Sequence, residues 1–304
     1  MTVVLVTGGA GFIGSHLCDR FLAEGHRVIA VDDLSTGRIA NLAEARGYGK
    51  EFTFFNMDIR ADGLVSLFER HRPEVVMHLG AQAGVSASME QPVFDASVNV
   101  MGTLNLMECA RRTGARKVVY AASGGTLYGE ARKLPVKETA VGARPLSPYG
   151  VSKKVVIDYL AFYERYHGIE WTALALANVY GPRQDPTGEA GVIAIFASSM
   201  LAGRAPTIFG DGDQTRDYVF VDDAVHAFAL ACELGAGRLV NVGTSVETSV
   251  NGLYRMLAEV TGFDGEPAHG PARPGDLRRS VLDIALAADV LEWRPWTHLE
   301  DGLG

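Results

Sequence analysis

The chain is predicted to adopt an α/β fold built on a doubly wound parallel sheet, with a smaller, non-contiguous C-terminal lobe. Three observations carry this prediction. Short apolar runs that do not alternate in polarity recur at Val3–Val6, Val28–Val31, Phe52–Met57, Val75–Leu79, Lys117–Ala121 and Trp171–Leu176, as strands buried on both faces require. The segments between them are long enough for crossover helices, giving repeated βαβ units. After Asn178 that rhythm breaks: Pro182, Pro186, Gly188 and Gly191 punctuate a loop ahead of a helical stretch at Val192–Leu201.

The elements follow in order. The first run leads directly into Thr7-Gly-Gly-Ala-Gly-Phe-Ile-Gly14, which opens a helix. Gly8, Gly11 and Gly14 suit a tight turn, close approach of backbone to a pyrophosphate, and close helix–strand packing. The helix N-terminus beyond them presents free N–H groups and a positive dipole end. Asp32 ends the second strand, where it accepts from ribose hydroxyls and repels a 2′-phosphate, so NAD is expected over NADP. Asp58-Ile59, after the third strand, fits the adenine pocket, although an acid at a strand end often only caps a helix. A long connecting helix is expected from Pro92 to Thr113. Ser147-Pro-Tyr149-Gly-Val-Ser-Lys153 opens the helix after the fifth strand, placing Tyr149 and Lys153 on one face. A tyrosine is a poor base at neutral pH, and a neighbouring ammonium lowers its pKa, so the pair forms a general base beside a dinucleotide. Sheet-like sequence returns at Asp217–Val221 and Leu239–Val242, and Gly262–Gly304 reads as a small cap. The expected division is a NAD-binding domain of 1–177 plus about 210–245, and a smaller lobe of about 178–209 plus 246–304.

Composition narrows the partners. The 304 residues are 47% hydrophobic and 21% charged, with a net charge of -8, which offers no long-range attraction for nucleic acid or anionic membrane. A phosphate ligand must therefore be held by a few placed groups. Cys18, Cys109 and Cys232 lie far apart without metal-ligand spacing, so buried free thiols are expected and no metal site. Thr2–Thr7 already reads as a core strand, so no signal peptide is expected, and no apolar run is long enough to span a bilayer. A cytoplasmic enzyme is the expectation.

The chain resembles the extended short-chain dehydrogenase/reductases, which are built on the Rossmann fold. Within them it is most similar to the bacterial UDP-glucose (UDP-galactose) 4-epimerase group. The likeness runs end to end, through Thr7–Gly14, Asp32-Asp33-Leu34, Asp58-Ile59, His78-Leu-Gly-Ala-Gln-Ala-Gly-Val85, Asn99, Ser123-Gly-Gly-Thr-Leu-Tyr-Gly129, Tyr149-x-x-x-Lys153, Asn178-Val-Tyr-Gly-Pro-Arg183, Arg216-Asp-Tyr-Val219 and Arg273-Pro-Gly-Asp276. The resemblance implies a retained NAD held by Gly8, Gly11, Phe12, Ile13, Gly14, Asp32, Asp33, Leu34, Ser35, Thr36, Gly37, Asp58, Ile59, Leu79, Gly80, Ala81, Gln82, Asn99, Ala121, Tyr149, Lys153 and Ala177. It implies a UDP-sugar held by Val85, Ser123, Gly124, Thr126, Tyr149, Asn178, Gly191, Val192, Thr207, Ile208, Phe209, Arg216, Arg273, Asp276 and Ser280.

In the implied reaction Tyr149 takes the 4-OH proton while hydride passes from C4 to NAD, and the 4-keto sugar turns and is reduced on its other face. Lys153 tunes Tyr149 and holds the nicotinamide ribose. The serine usual four residues before the Tyr-Gly pair is replaced by Gly124, so the catalytic hydroxyl comes from Thr126 or Ser123, with Thr126 favoured. Gly125-Thr126-Leu127 replaces the acid pair of the related dehydratases, which disfavours dehydration. Asp185 and Glu189 argue against a uronate substrate, the main alternative among sugar nucleotides. Ser280, small where a large aromatic would exclude N-acetyl groups, implies activity on UDP-GlcNAc and UDP-GalNAc as well. A non-catalytic NAD-sensing protein is the alternative from another class, and such proteins typically lack the tyrosine or the lysine. Homodimerisation through the helices near Pro92 and Ser147 is a family expectation, as is a terminal helix past Leu299–Gly304.

Overall fold

A computed structural model describes residues 1–131, 133–187, 191–272 and 277–304. Strands β1 (Val3–Thr7), β2 (Arg27–Asp32), β3 (Phe52–Asn56), β4 (Val75–His78), β5 (Lys117–Ser123), β6 (Glu170–Leu176) and β7 (Arg238–Val242) form one sheet in the order 7-6-5-4-1-2-3. Every pairing in it is parallel, with Thr7 in register with both Val31 and His78. The chain winds outward from β1 to β3, then returns to β4 on the other side of β1. That reversal opens a crevice beyond the carboxyl ends of β1 and β4.

Helices cover both faces of the sheet. Successive strand residues point to opposite faces, so Val4 and Val6 pack with Leu17 and Phe21 of α1 (Phe12–Ala23), whereas Leu5 joins Leu67 and Phe68 of α2 (Leu64–His71). The Leu5 face also receives Leu106 and Met107 of α3 (Gly102–Thr113) and Val156 and Leu160 of α4 (Pro148–His167). A third apolar cluster joins Ile193, Phe196 and Met200 of α5 (Val192–Leu201) to Leu253, Tyr254 and Leu257 of α7 (Val250–Thr261). Between those two in sequence, α6 (Val221–Leu230) packs Val225 and Phe228 against the first cluster.

Three expectations are corrected. The helix from Pro92 to Thr113 is not uniform: Pro92–Ala96 passes through a π-helical turn at Ser97–Met101 before α3. The Asp217–Val221 strand shrinks to Tyr218–Phe220 and pairs with Asn178–Tyr180 in a separate two-stranded ribbon. The C-terminal cap carries a strand, Ala268–Gly270, paired in parallel with Thr207–Phe209. The cysteines are buried free thiols, and burial pushes Cys109 up to about 11 and Cys232 up to about 12. Among the described residues, no helix is long and apolar enough to cross a membrane.

Candidate active site

The glycine turn lies in the switch-point crevice, and its shape is set by backbone contacts. Gly8 has φ +68°, and a Cβ there would come within 2.9 Å of the Gly80 amide nitrogen. A Cβ on Gly14 would overlap the Gly8 carbonyl oxygen, so α1 can start this close to β1 only with glycine at that position. The Thr7 hydroxyl accepts from the Leu79 and Gly80 amides (3.2 and 3.0 Å) and pairs with His78 Nδ1 (2.8 Å), joining the ends of β1 and β4. Asp32 is buried at the end of β2, with its oxygens accepting from the Ala10 and Leu34 amides (3.0 and 2.8 Å). Burial raises its pKa and the two amides oppose that rise. Asp32 thus braces the turn, and each carboxylate oxygen retains a lone pair for a hydroxyl.

The other expected cofactor residues gather on the same edge, because parallel strands all end there. Asp33 to Gly37 follow β2, Asp58 and Ile59 follow β3, Leu79 to Gln82 follow β4, Ala121 lies on β5 and Ala177 follows β6. Asp58 is held by Arg60, which donates from Nε to both carboxylate oxygens (3.0 Å each) and keeps the acid below its usual range. Asn99 is buried, donating to Gln82 O (2.9 Å), Asp95 Oδ1 (3.0 Å) and Ser152 Oγ (3.2 Å), so it acts as a strut behind Gln82.

Tyr149 sits in the first turn of α4, next to the N-cap Ser147, whose hydroxyl accepts from the Gly150 amide (3.2 Å). The positive end of the helix dipole thus lies beneath a side chain that must become anionic to act as a base. Lys153, one turn on, is buried; its ammonium donates to Ala121 O (2.9 Å) and lies over the rings of Tyr120 (4.8 Å) and Tyr149 (5.7 Å). Burial lowers the Lys153 pKa to about 8 and raises that of Tyr149. Ser123 is the hydroxyl close enough to Tyr149 to work against the rise in its pKa, whereas Thr126 Oγ1 is buried without a partner. The geometry thus favours Ser123 over Thr126, the reverse of the sequence expectation. Gly124 also has a structural reason: a Cβ there would lie 2.5 Å from Leu282 Cδ1.

The expected substrate residues lie on several separate segments of the chain. Asn178 begins the ribbon with Tyr218–Phe220, Gly191 and Val192 open α5, and Thr207–Phe209 form the strand paired with Ala268–Gly270. Val85 begins the short helix after Gly84. Arg216 donates to the Thr215 and Leu277 carbonyls (2.7 and 2.8 Å), and buried Ser280 donates its amide to Thr215 O (3.2 Å). Arg273, Asp276 and Glu189 lie outside the described residues.

Residues 4–243 match the NAD dependent epimerase/dehydratase family. The chain belongs to that family. A UDP-glucose 4-epimerase of Mycolicibacterium smegmatis is 50% identical over 300 residues, 98% of this chain and 95% of that protein. The Thermotoga maritima UDP-glucose 4-epimerase, solved with UDP-glucose, is 46% identical with TM-score 0.95, covering 99% of this chain and 96% of that one. The Thermus thermophilus UDP-glucose 4-epimerase, solved with NAD, is 42% identical with TM-score 0.92 and the same coverage.

The fold of this family member brings forward residues that sequence reasoning missed. Asp217 is fully buried and accepts from Thr244 N (2.8 Å), Thr244 Oγ1 (2.6 Å), Ser245 N (3.1 Å) and Leu282 N (3.2 Å). Arg183 reaches Asp19 (2.6 Å), and Arg38 pairs with Asp185, tying the loop after Gly181 to the cofactor edge. Asp95 was missed as well, although its position four residues before Asn99 on a helix was the available signal.

Proposed function

We propose that this family member catalyses NAD-dependent epimerisation at C4 of UDP-glucose and UDP-galactose through a 4-keto sugar. The observation that carries this is the Tyr149–Lys153 pair with Ser123 on the tyrosine, standing in the switch-point crevice of a chain half identical to a UDP-glucose 4-epimerase. The cradle fits NAD. Gly8 and Gly14 let β1, β4 and α1 close into the tight turn that a pyrophosphate approaches, and Asp32 keeps lone pairs for a ribose diol. When bound, NAD supplies the acceptor and later the donor of the C4 hydride.

Tyr149 Oη takes the proton of the 4-hydroxyl and returns it after the sugar has turned. Ser123 holds the Tyr149 oxygen, and the Lys153 ammonium and the helix end favour its phenolate. Arg216 and Arg273 hold the diphosphate, a task suited to the guanidinium fork, and Asn178 and Asp276 hold the UDP moiety. Val192 and Thr207–Phe209 flank the uracil. Residues 1–177 together with about 210–245 form the NAD-binding part, and about 178–209 with 246–304 the sugar-nucleotide lobe. Ser280 leaves room beside C2, which extends the reaction to UDP-GlcNAc and UDP-GalNAc.

We also propose a cytoplasmic homodimer. Val93, Phe94 and Met101 on one helix and Val151, Phe162 and Tyr166 on α4 are exposed apolar side chains. A cavity of about 590 Å³, lined by Met89, Pro92, Leu146 and Val151, lies between the two segments. A second copy on this face would bury both.

The first experiment incubates purified protein with UDP-galactose and no added cofactor, following UDP-glucose by NMR. Conversion to an equilibrium mixture is the expected outcome. No conversion even with NAD supplied would sink the reading.

A further inference from the structure

We propose that Asp95 is a positioning residue of the epimerase site, the buried carboxylate whose charge, delivered beside Ser152, keeps Lys153 in the ammonium form that Tyr149 requires. The inference rests on the function proposed above. Asp95 is almost fully buried on the Pro92–Ala96 helix. Its Oδ1 accepts from Gln82 Nε2 (3.2 Å) and Asn99 Nδ2 (3.0 Å), and its Oδ2 is buried with no hydrogen-bond partner. Asn99 Nδ2 also donates to Ser152 Oγ (3.2 Å), and the Ser152 hydroxyl donates to the Tyr149 carbonyl (3.0 Å). Asp95 and Ser152 line the same cavity. One short chain of contacts thus runs from the carboxylate to the backbone of the catalytic turn and to the neighbour of Lys153.

A buried carboxylate without a cationic partner and with one oxygen unused is costly to the fold. Burial raises the pKa of Asp95, so the acid folds more favourably when protonated, and its charge costs stability at neutral pH. A group that weakens the fold in this way calls for a functional reason. The groups facing Lys153 supply one. Tyr120 on β5 and Tyr149 on α4 are held neutral by burial, and His78 on β4 is neutral because burial and Lys153 push its pKa down to about 3. Among the described residues, Asp95 is the one charge that opposes the desolvation of Lys153. With Lys153 already lowered to about 8, its ammonium is retained at working pH only narrowly, and the cationic ring of bound NAD presses in the same direction. The same carboxylate raises the pKa of Tyr149, so removing its charge moves both groups downward.

The test is the pH profile of kcat and KM for UDP-galactose with full-length D95N carrying its own NAD. The whole bell is expected to move to lower pH by about one unit. On the alkaline limb, at pH 8, kcat should fall by up to about tenfold, while on the acid limb, at pH 6, it should equal or exceed wild type, with KM within about twofold throughout. The variant should melt at or above the wild-type temperature, and D95E should return the bell to its wild-type position. A uniform loss at every pH, or an unshifted bell, would overturn the proposal. If D95N does not fold, Asp95→Ser is the second neutral variant; failure of both would assign Asp95 to the fold and overturn the proposal equally. Absence of turnover in the wild type would instead fault the epimerase reading.

Discussion

The two sides of the crevice are built differently. On the cofactor side, Thr7 to Gly14 is a single run of chain whose shape is fixed by its own glycines, by Asp32 and by the Thr7 contacts to β4. On the substrate side nothing contiguous exists. Thr215–Arg216 pairs with Thr248–Ser249, Thr215 bridges to Arg279, and Asp217 alone gathers the amides of Thr244, Ser245 and Leu282. A cofactor held through every turnover needs a preformed backbone mould. A sugar that must rotate needs walls that are anchored at a few points only. The difference shows that one half of this site is a motif and the other half an assembly.

Four substitutions test that contrast. The largest effect is expected at the boundary: Tyr149→Phe should lower kcat about 10³-fold, while bound NAD and the melting temperature stay unchanged. Turnover that survives this change would remove the tyrosine from the mechanism. Next comes Asp217→Ala, which strands several buried donors and should cost about 3 kcal/mol in denaturant unfolding. UDP affinity should fall with it and NAD content should hold; parallel loss of NAD would erase the distinction between the two sides. Gly14→Ala should do the opposite, costing about 1–3 kcal/mol because the added carbon overlaps the Gly8 carbonyl, with NAD lost before UDP affinity. A variant purified with a full complement of NAD would contradict the mould. The smallest effect is a matter of selectivity. Ser280→Tyr should lower the ratio of acetylated to plain substrate turnover about tenfold, roughly 1.4 kcal/mol, without changing UDP-glucose turnover.

The cofactor side was legible because its residues are near neighbours in sequence, so spacing alone placed Gly8, Gly14, Asp32 and the Tyr149–Lys153 pair. The strands were equally plain, since burial on both faces leaves an unbroken apolar run. Where the reading faltered, distant groups decided the outcome. Ser123 acts on Tyr149 while Thr126 Oγ1 is buried without a partner, and Leu282, far along the chain, occupies the space a side chain at 124 would need. Tyr218–Phe220 leaves the main sheet because its partner is Asn178–Tyr180.

By itself, then, the sequence determined the doubly wound sheet, the glycine turn and the placing of Tyr149 and Lys153 on one helix face, because each depends on local periodicity or on spacing within one helix. Only the tertiary structure decided that Ser123 rather than Thr126 lies against Tyr149, that Asp217 gathers the amides of Thr244, Ser245 and Leu282, and that Asp95 is buried near Lys153. Those facts rest on burial and on contacts between segments tens of residues apart, and desolvation has no signature in a linear string.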